Sequence, residues 1–212
     1  MSQRASAPLR LHHNPFSSSA RRVVMTIRHL GLPVELVVIQ TLRDPAERAG
    51  LIALNPNAKI PVLEHGDFVL WESMAIMQYL ADQAPGQTLY PSDLAARADV
   101  NRWLFWCGQH WSPALGVLSW EKWMKGLFGL GGPDEREVAR GERDFATVAG
   151  VLDAHLRGRT WISGPGLTLA DFAISTPLMR VREASISLEP YPALAAWFER
   201  VQGLEAWKQT AV

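Results

Sequence analysis

Three consecutive serines, Ser17, Ser18 and Ser19, are the first residues whose type and position suggest chemistry. They come directly before a predicted helix, where a serine side chain ordinarily accepts hydrogen bonds from the first helical amides. The same end of a helix carries a partial positive charge and favours anions. A hydroxyl that donates to a bound thiolate there would lower the pKa of the thiol, and each pKa unit corresponds to about 1.4 kcal/mol. Because no His or Asp is spaced to act as a base for the serine, the residues allow either a helix cap or an activator of another molecule's nucleophile.

The segment Lys59-Ile60-Pro61-Val62 places a proline at the start of an apolar strand. Proline is tolerated there because it forfeits only one hydrogen bond of the sheet, and a trans bond is the default before proline. A cis bond would instead turn the amide and carbonyl of Ile60 outward, where an extended peptide ligand can pair with them. The sequence by itself allows both states.

Glu72 and Ser73 precede another predicted helix. In a structural interpretation Ser73 is the N-cap and Glu72 is a carboxylate that the helix dipole stabilises. In a functional interpretation the pair holds a zwitterion, because the carboxylate attracts an ammonium group while the helix amides attract a carboxylate. These residues therefore also fit a binding site for a small charged molecule.

An aromatic cluster is predicted on a long helix in the second half of the chain, where most of the nine Trp residues lie. Trp103, Trp106 and His110 follow one another at i, i+3 and i+7 and therefore share one face. Such a stripe ordinarily packs in a core. The alternative is that these residues and Trp111 form the wall of an apolar pocket for an aromatic or alkyl substrate.

Thr168-Leu169-Ala170-Asp171 has the pattern of a capping box, with Asp in place of the usual Glu. We interpret Thr168 and Asp171 as folding determinants, each contributing about 1 kcal/mol or more. Metal binding has no comparable support, since the adjacent His12 and His13 have no Cys or carboxylate at the spacing of a metal site.

The composition excludes several classes of protein. Lys plus Arg equal Asp plus Glu at 21 each, so there is no net charge to attract nucleic acid or an anionic membrane. No segment has the roughly 20 consecutive apolar residues of a membrane span. A single cysteine, Cys107, excludes an internal disulfide and fits a reducing compartment. We therefore expect a soluble cytoplasmic protein with no metal, nucleic-acid or membrane partner.

The first part of the chain alternates between strand and helix patterns. The order predicts a parallel strand pair joined by a right-handed crossover, followed by a hairpin around Gly66 and a helix. The second strand is nearly all apolar and β-branched, which is typical of a strand buried on both faces. The predicted strands and helices span 9–12, 17–30, 34–39, 60–63, 68–70 and 73–81.

From residue 93 onward the pattern is helical only. The predicted helices span 93–127, with a bend near Pro113, and then 133–155, 168–184 and 191–201. The predicted fold class is therefore α/β plus all-α. Domain 8–84 contains a mixed four-stranded sheet, residues 85–92 are a linker, and residues 93–212 form an all-helical domain.

Four motifs together resemble the cytosolic glutathione transferases of the serine type, as in the theta and phi classes. They are Asn-Pro-Phe-Ser-x-x-x-Arg-Arg-Val from residue 14, Asn-Pro-Asn-Ala-Lys-Ile-Pro-Val-Leu from 55, Trp-Glu-Ser-Met-Ala-Ile from 71 and Thr-Leu-Ala-Asp-Phe from 168. Each motif alone is weak, but all four in register cover nearly the whole chain. The resemblance implies a thioredoxin-like first domain, a helical second domain, a homodimer, and conjugation of glutathione to small apolar electrophiles in detoxification.

The same resemblance implies roles for individual residues. Ser17 would be the catalytic residue that stabilises the glutathione thiolate. The backbone of Ile60, ahead of a cis Pro61, would pair with the cysteinyl part of glutathione, and Lys59 would reach its glycyl carboxylate. Glu72 and Ser73 would hold the γ-glutamyl end. The pocket for the electrophile would include Phe16, Trp106, His110 and Trp111.

Three features depart from the family pattern. Ala58 stands where a glycine is usual, and Glu72 replaces the glutamine common in the zeta class. The three serines also resemble the Ser-Ser-Cys of zeta-class isomerases, with Ser19 in the place of the cysteine. The differences at Glu72 and Ser19 argue against a zeta-like glutathione-dependent isomerase, which is kept as an alternative beside a non-catalytic binding protein of the same fold. The thiolate donor is one of the three serines.

Overall fold

A four-stranded sheet organises the first part of the chain. In the computed structural model, which describes residues 7–40 and 44–211, the strands are β1 (Leu9–His13), β2 (Val34–Val38), β3 (Val62–His65) and β4 (Phe68–Trp71). Their order in the sheet is β2-β1-β3-β4. β1 pairs with β2 in parallel and with β3 antiparallel, and β3 and β4 form an antiparallel hairpin. This mixed sheet and the helical remainder of the chain confirm the predicted fold class.

The chain divides into two compact units. The first comprises Met1–Tyr90 with Glu205–Val212, and the second comprises Pro91–Leu204. The sequence pattern predicts one helical domain over residues 93–212. In the structure, however, helix α10 (Glu205–Lys208) packs on helix α1 (Ser18–Leu30) of the first unit.

Helix α1 is bounded by the residues that the sequence predicts. Ser17 is its N-cap, and Ser17 Oγ accepts a hydrogen bond from the backbone N–H of Ala20 at 3.2 Å. Gly31 ends the helix at φ 62°, and its amide donates to the carbonyls of Arg28 and Ile27. A residue with a Cβ is strained in this left-handed conformation, so glycine is favoured there.

Helix α2 (Pro45–Leu54) lies in a stretch to which sequence analysis assigns no element. Asp44 caps it, since its Oδ1 accepts hydrogen bonds from the amides of Ala46 at 2.8 Å and Glu47 at 2.9 Å. Pro45 occupies the first turn, where a missing amide is harmless. The capping signal was therefore present in the sequence, but Leu51 is the one buried residue of this helix and no apolar stripe marks it.

The prediction that β2 is buried on both faces is wrong. β2 lies at the edge of the sheet and its residues are intermediate or exposed. Glu35 on this strand pairs with Arg10 of β1, with 3.0 Å between carboxylate oxygen and Nε. β-Branched residues favour any pleated strand, so an apolar run of this kind does not distinguish a central strand from an edge strand.

The second unit is helical. It contains α4 (Leu94–Trp106), α5 (Ser112–Ser119), α6 (Lys125–Leu127), α7 (Glu135–Leu156), α8 (Leu169–Ser175) and α9 (Pro192–Gln202), while α3 (Ser73–Gln83) belongs to the first unit. Among the residues described, no helix has the length and apolar character needed to cross a membrane.

Two π-helical turns interrupt the helix predicted over residues 93–127. They span Cys107–Trp111 and Trp120–Met124. Pro113 follows the first of them in the opening turn of α5. In an α-helix its ring would clash with the carbonyl four residues earlier, and a wider π turn relieves this clash.

Helix α8 is shorter than the predicted helix 168–184. It ends at Ser175 and continues as a 3-10 segment, Thr176–Arg180. Pro177 lies in the first turn of that segment and cannot donate an amide hydrogen bond, so the α-helical ladder stops there.

Asp171 anchors the beginning of α8 and has no exposed surface. Its Oδ2 accepts hydrogen bonds from the amide of Thr168 at 2.9 Å and from the Thr168 hydroxyl at 3.0 Å, as in a capping box. Its Oδ1 accepts from the amide of Ile162 at 3.0 Å and from Trp197 Nε1 at 2.9 Å. Burial raises the pKa of Asp171, and these four hydrogen bonds oppose the rise. The carboxylate thus joins three segments of the helical unit.

Candidate functional site

The sheet register brings the predicted site residues of the first unit to one end. His12, Val62 and Trp71 lie in one row across β1, β3 and β4. β1 ends one residue beyond this row and β4 ends in it, and they lead to Ser17 and Glu72, whereas β3 begins here after Pro61. Residues that are far apart in the sequence therefore meet at the same edge of the sheet.

Two helices also begin at this end. α1 starts at Ser18 and α3 starts at Ser73, and the two helices pack against each other. Each N-terminus carries a partial positive charge and amides that lack partners within the helix. Together they make this end of the unit suitable for negatively charged groups.

Ser17 is partly exposed and combines two functions in one hydroxyl. Its oxygen accepts the capping hydrogen bond from Ala20, while its backbone N–H donates to the carbonyl of Asn14 at 3.0 Å. A hydroxyl has one donor hydrogen and two acceptor lone pairs, so capping leaves its O–H available to another group. The cap and the thiolate donor are thus compatible roles, which the sequence presented as alternatives. Ser18 and Ser19 are the first two helical residues and do not cap α1.

Asn14 holds the loop that carries Ser17. Its Nδ2 donates to the carbonyl of Ile39 at 2.8 Å, and its Oδ1 accepts from the amide of Phe16 at 2.9 Å. Phe16 itself is 63% exposed. The loop is therefore tied to the end of β2, and the phenyl ring lies at the surface.

The peptide bond between Ile60 and Pro61 is cis. Lys59 is exposed, and its carbonyl accepts a hydrogen bond from Asn55 Nδ2 at 2.7 Å. Asn55 is 2% exposed, and its Oδ1 also accepts from the backbone and side chain of Asn57, both at 3.0 Å. This role of Asn55 was not predicted from the sequence. The sequence feature that could have predicted it is an Asn followed by a proline, a pair that is typical of turns.

Ala58 lies within this turn and has a φ of 52°. The family pattern has a glycine at this position. The structure keeps the left-handed backbone although the residue is alanine, so the turn is preserved at some conformational cost.

Glu72 also has a positive φ, of 73°, which is unusual for a residue with a side chain. Such conformations cost about 1–3 kcal/mol and cluster at functional sites. Glu72 is the N-cap of α3, yet its side chain makes no capping hydrogen bond, and its carboxylate is exposed. The prediction that Ser73 is the N-cap is wrong, because Ser73 is the first residue inside helix α3. The residue is buried, with 8% of its surface exposed.

The aromatic residues of the second unit divide into core and surface. Trp111 has no exposed surface and its Nε1 donates to the carbonyl of Ile174 at 2.8 Å, so it is a core residue here rather than a pocket wall. Trp103 is buried against the ring of His155, with 4.4 Å between ring centroids. Trp106 is half-buried and stacks on Trp111, and His110 is exposed. Of the residues predicted for the electrophile pocket in this unit, Trp106 and His110 retain accessible surface.

Acidic, histidine and cysteine side chains do not gather into a group of three or more that fits a metal ion in the described parts of the chain. The site at the end of the sheet instead offers hydroxyl and amide donors, one exposed lysine and one exposed carboxylate. This donor set fits an organic molecule that carries both charges.

Comparison with known proteins agrees with this geometry. Residues 16–83 match the family model "Glutathione S-transferase, N-terminal domain", and residues 112–205 match "Glutathione S-transferase, C-terminal domain". The chain is 32% identical to rat glutathione S-transferase theta-2 over 196 residues, covering 92% of this chain and 80% of that protein. It is 29% identical to Escherichia coli K12 glutathione S-transferase GstB over 191 residues, covering 87% and 88%.

A solved structure supports the same assignment. The theta class glutathione S-transferase from Xanthomonas axonopodis pv. citri, with glutathione bound, superposes with a TM-score of 0.85 at 25% identity, covering 97% of this chain and 98% of that one. Fold, site and sequence similarity thus define the same class of protein. The chain belongs to the glutathione S-transferase family.

Proposed function

We propose that this chain is a glutathione transferase that holds glutathione, its co-substrate, at the sheet end of the first unit. The reaction is attack of the glutathione thiolate on a small apolar electrophile, with formation of a carbon–sulfur bond. The electrophile's leaving group departs with the bonding electron pair, or in an addition the new carbanion takes a proton from water. No covalent intermediate with the protein is required.

Ser17 is the residue that we propose to be catalytic. Its capping hydrogen bond fixes the hydroxyl at the N-terminus of α1, and its O–H remains able to donate. A donor that is already oriented stabilises a thiolate without a reorganisation cost. This single observation carries the proposal.

The remaining parts of glutathione are matched to charged and backbone groups of the first unit. We propose that Glu72 and the N-terminus of α3, which begins at Ser73, hold the γ-glutamyl ammonium and carboxylate. Lys59 takes the glycyl carboxylate, and the backbone of Ile60 beside cis Pro61 pairs with the cysteinyl part. The strained backbone of Glu72 supports its role, since such conformations are concentrated at binding sites.

Substitutions at Ser17 test the catalytic proposal. Ser17→Gly removes the hydroxyl but costs only a few tenths of a kcal/mol of capping, whereas Ser17→Ala costs about 0.5–2 kcal/mol. Both should raise the pKa of bound glutathione by about 1–2 units, because a hydrogen bond to a charged group is lost. Ultraviolet absorbance of the thiolate in the binary complex measures this pKa, and Ser17→Thr should restore most of the effect.

Ser18→Ala is the matched control and should leave the thiol pKa unchanged. Equal pH–rate profiles for Ser17→Gly and the unsubstituted protein, with the loss appearing in Ser18→Ala, would move the role to Ser18. Binding of glutathione without turnover of any of a panel of electrophiles would favour a non-catalytic binding protein.

Glu72→Gln separates binding from chemistry. The variant keeps the size of the side chain but loses the charge that pairs with an ammonium group. We expect weaker glutathione affinity, by about tenfold, with the thiol pKa unchanged. Isothermal titration measures the affinity, and a loss of the same size in Glu35→Gln, an exposed carboxylate on β2, would contradict the assignment.

We propose that Trp106 and His110, which keep accessible surface in the second unit, contribute to the electrophile pocket. We further propose a cytoplasmic, homodimeric protein with a role in detoxification. Leu94 and Phe105 support a homodimer, because they are 83% and 68% exposed and lie eleven residues apart, on one face of α4. Leu94→Arg combined with Phe105→Arg should give monomers in sedimentation experiments, and an unchanged mass would reject this face as the interface.

A further inference from the structure

A pocket of about 210 Å³ lies in the first unit beside the loop that leads from β1 to Ser17. It is bordered by α1, β2, this loop and residues 209–211. Its volume corresponds to about seven water molecules and is below the roughly 300 Å³ at which pockets for drug-sized ligands begin. The pocket therefore suits a small ligand, one distinct from a tripeptide.

The charged residues around this pocket are cationic. Arg21 and Arg28 line it from α1, and no Asp or Glu is present among the described residues of its wall. Arg21 already donates to the carbonyl of Trp207 at 3.1 Å and to Thr210 Oγ1 at 3.2 Å. Arg28 is exposed, and within the described chain its guanidinium makes no hydrogen bond or ion pair. Among the described lining residues, Arg28 therefore has no acidic side chain to balance its positive charge.

His13 lines the same pocket from the end of β1. It is 7% exposed, and its Nε2 has no hydrogen-bond partner among the described residues. Side chains alternate along a strand, so the neighbouring His12 lies on the opposite face, where it contacts Glu64 Oε1 at 2.6 Å. Burial and the nearby charge of Arg28 lower the pKa of His13. A buried ring nitrogen without a partner is destabilising, and a ligand that supplies one is favoured.

We infer that this pocket binds a small organic carboxylate. Its anionic end pairs with Arg28 and accepts a hydrogen bond from Nε2–H of His13 after a slight opening of the pocket around that buried atom. Its apolar part lies against Val24 and Leu36, which form apolar walls. These walls favour a carboxylate with a short alkyl chain over inorganic phosphate, and the positive charge excludes a metal cation.

Butyrate is the probe for this inference, and binding is measured on the full chain by ¹H–¹⁵N NMR titration. We expect shifts at His13, Val24, Leu36 and residues 209–211. In Arg28→Gln the affinity should fall about tenfold, since one charge-assisted hydrogen bond is lost. Arg28 is exposed, so this variant should fold normally. Arg48→Gln, which removes an exposed arginine of α2, is the matched control and should bind butyrate within about twofold of the unsubstituted protein.

Two further probes separate the sources of binding. Butyramide has nearly the same shape without the charge and should cause no shifts in the pocket. Equal binding of butyramide, or equal butyrate affinity in Arg28→Gln, would overturn the inference. Binding of inorganic phosphate in the absence of butyrate binding would also overturn it.

His13 supplies an independent readout. The charged groups that line the pocket with it are Arg21 and Arg28, whereas β2 and residues 209–211 contribute none. A bound carboxylate offsets the charge of Arg28, so the pKa of His13 measured by NMR should rise on addition of butyrate. An unchanged His13 titration at saturating butyrate would show that the anion does not reach this pocket.

Discussion

The guanidinium of Arg21 lies over the indole of Trp207, 3.8 Å from the ring centroid, and its Nη2 donates to the carbonyl of the same residue at 3.1 Å. Its Nε donates to Thr210 Oγ1 at 3.2 Å. The two residues are 186 positions apart in the sequence. Arg21 is 5% exposed, so these contacts with the last turns of the chain help to satisfy a buried cation. This contact explains why residues 205–211 pack with the first unit.

Arg21→Lys should lower the free energy of unfolding by about 1–3 kcal/mol, because an ammonium cannot stack on the indole and bind two acceptors in one plane. Amide hydrogen exchange should accelerate over residues 205–211. Urea unfolding and exchange measured by mass spectrometry check both effects. Lys208→Gln removes an exposed ion pair with Glu205 and should change stability by no more than about 0.5 kcal/mol; an equal loss there would contradict the interpretation.

Gly141 and Gly150 on α7 should respond oppositely to alanine. A Cβ at Gly141 would lie 2.9 Å from Leu118 Cδ2 and 3.0 Å from Val117 Cγ1, whereas a Cβ at Gly150 meets nothing within 4 Å. Gly141→Ala should therefore lower the free energy of unfolding by about 1–3 kcal/mol through overpacking against α5. Gly150→Ala should raise it by up to about 1 kcal/mol through helix propensity. Two changes of the same sign in urea titrations would disprove the close approach of α5 and α7.

Ala58→Gly should stabilise the protein. Relief of the left-handed strain is worth about 1–2 kcal/mol, and the greater freedom of glycine in the unfolded chain offsets about 0.5–1 kcal/mol of it. The net gain expected in thermal unfolding is about 0.5–1 kcal/mol. Ala53→Gly on the exposed side of α2 is the matched control and should instead destabilise by about 1 kcal/mol. A loss of stability in Ala58→Gly would mean that the left-handed turn at residue 58 is not strained.

Stability should fall on mild acidification. Burial lowers the pKa values of His13 and His29 below the ordinary histidine value of 6.5, so the unfolded state binds protons first. The contribution of these residues is complete above 6.5 and is lost as the pH falls through their lowered values. Urea midpoints at about pH 8 and about pH 5 measure the effect. In His13→Gln the difference should shrink, whereas His110→Gln, at an exposed position, should keep it; identical behaviour of both variants would exclude His13 as a source.

Local signals predicted several elements well. Three features were predicted in this way: the serine and glycine at the two ends of α1, the hairpin at Gly66 and the Thr168–Asp171 cap. Each depends on contacts between residues that are close together in the sequence. The same reasoning failed for β2. Whether a strand is central or at an edge depends on which other strands join the sheet, and the run of β-branched residues does not encode that.

The candidate site shows the same division. The types and positions of Ser17, Pro61 and Glu72 allowed a thiolate donor, an extended-peptide partner and an ammonium partner, beside purely structural roles, before any fold was known. Asn55 was missed, because its role depends on the geometry of the turn that it holds. Trp111 was predicted to line the electrophile pocket, and its burial against Ile174 and Phe145 shows that it belongs to the core.

The sequence by itself determined the fold class, the caps of α1 and α8 and the chemical types available at the site, since these depend on composition, periodicity and short-range hydrogen bonds. Only the tertiary structure decided that the end of the chain packs on α1, that Glu72 has a strained backbone, and that Arg28 and His13 border one cationic pocket. Each of these depends on residues that are distant in the sequence. Strand pairing and helix packing bring such residues together, and local sequence patterns do not specify which of them meet.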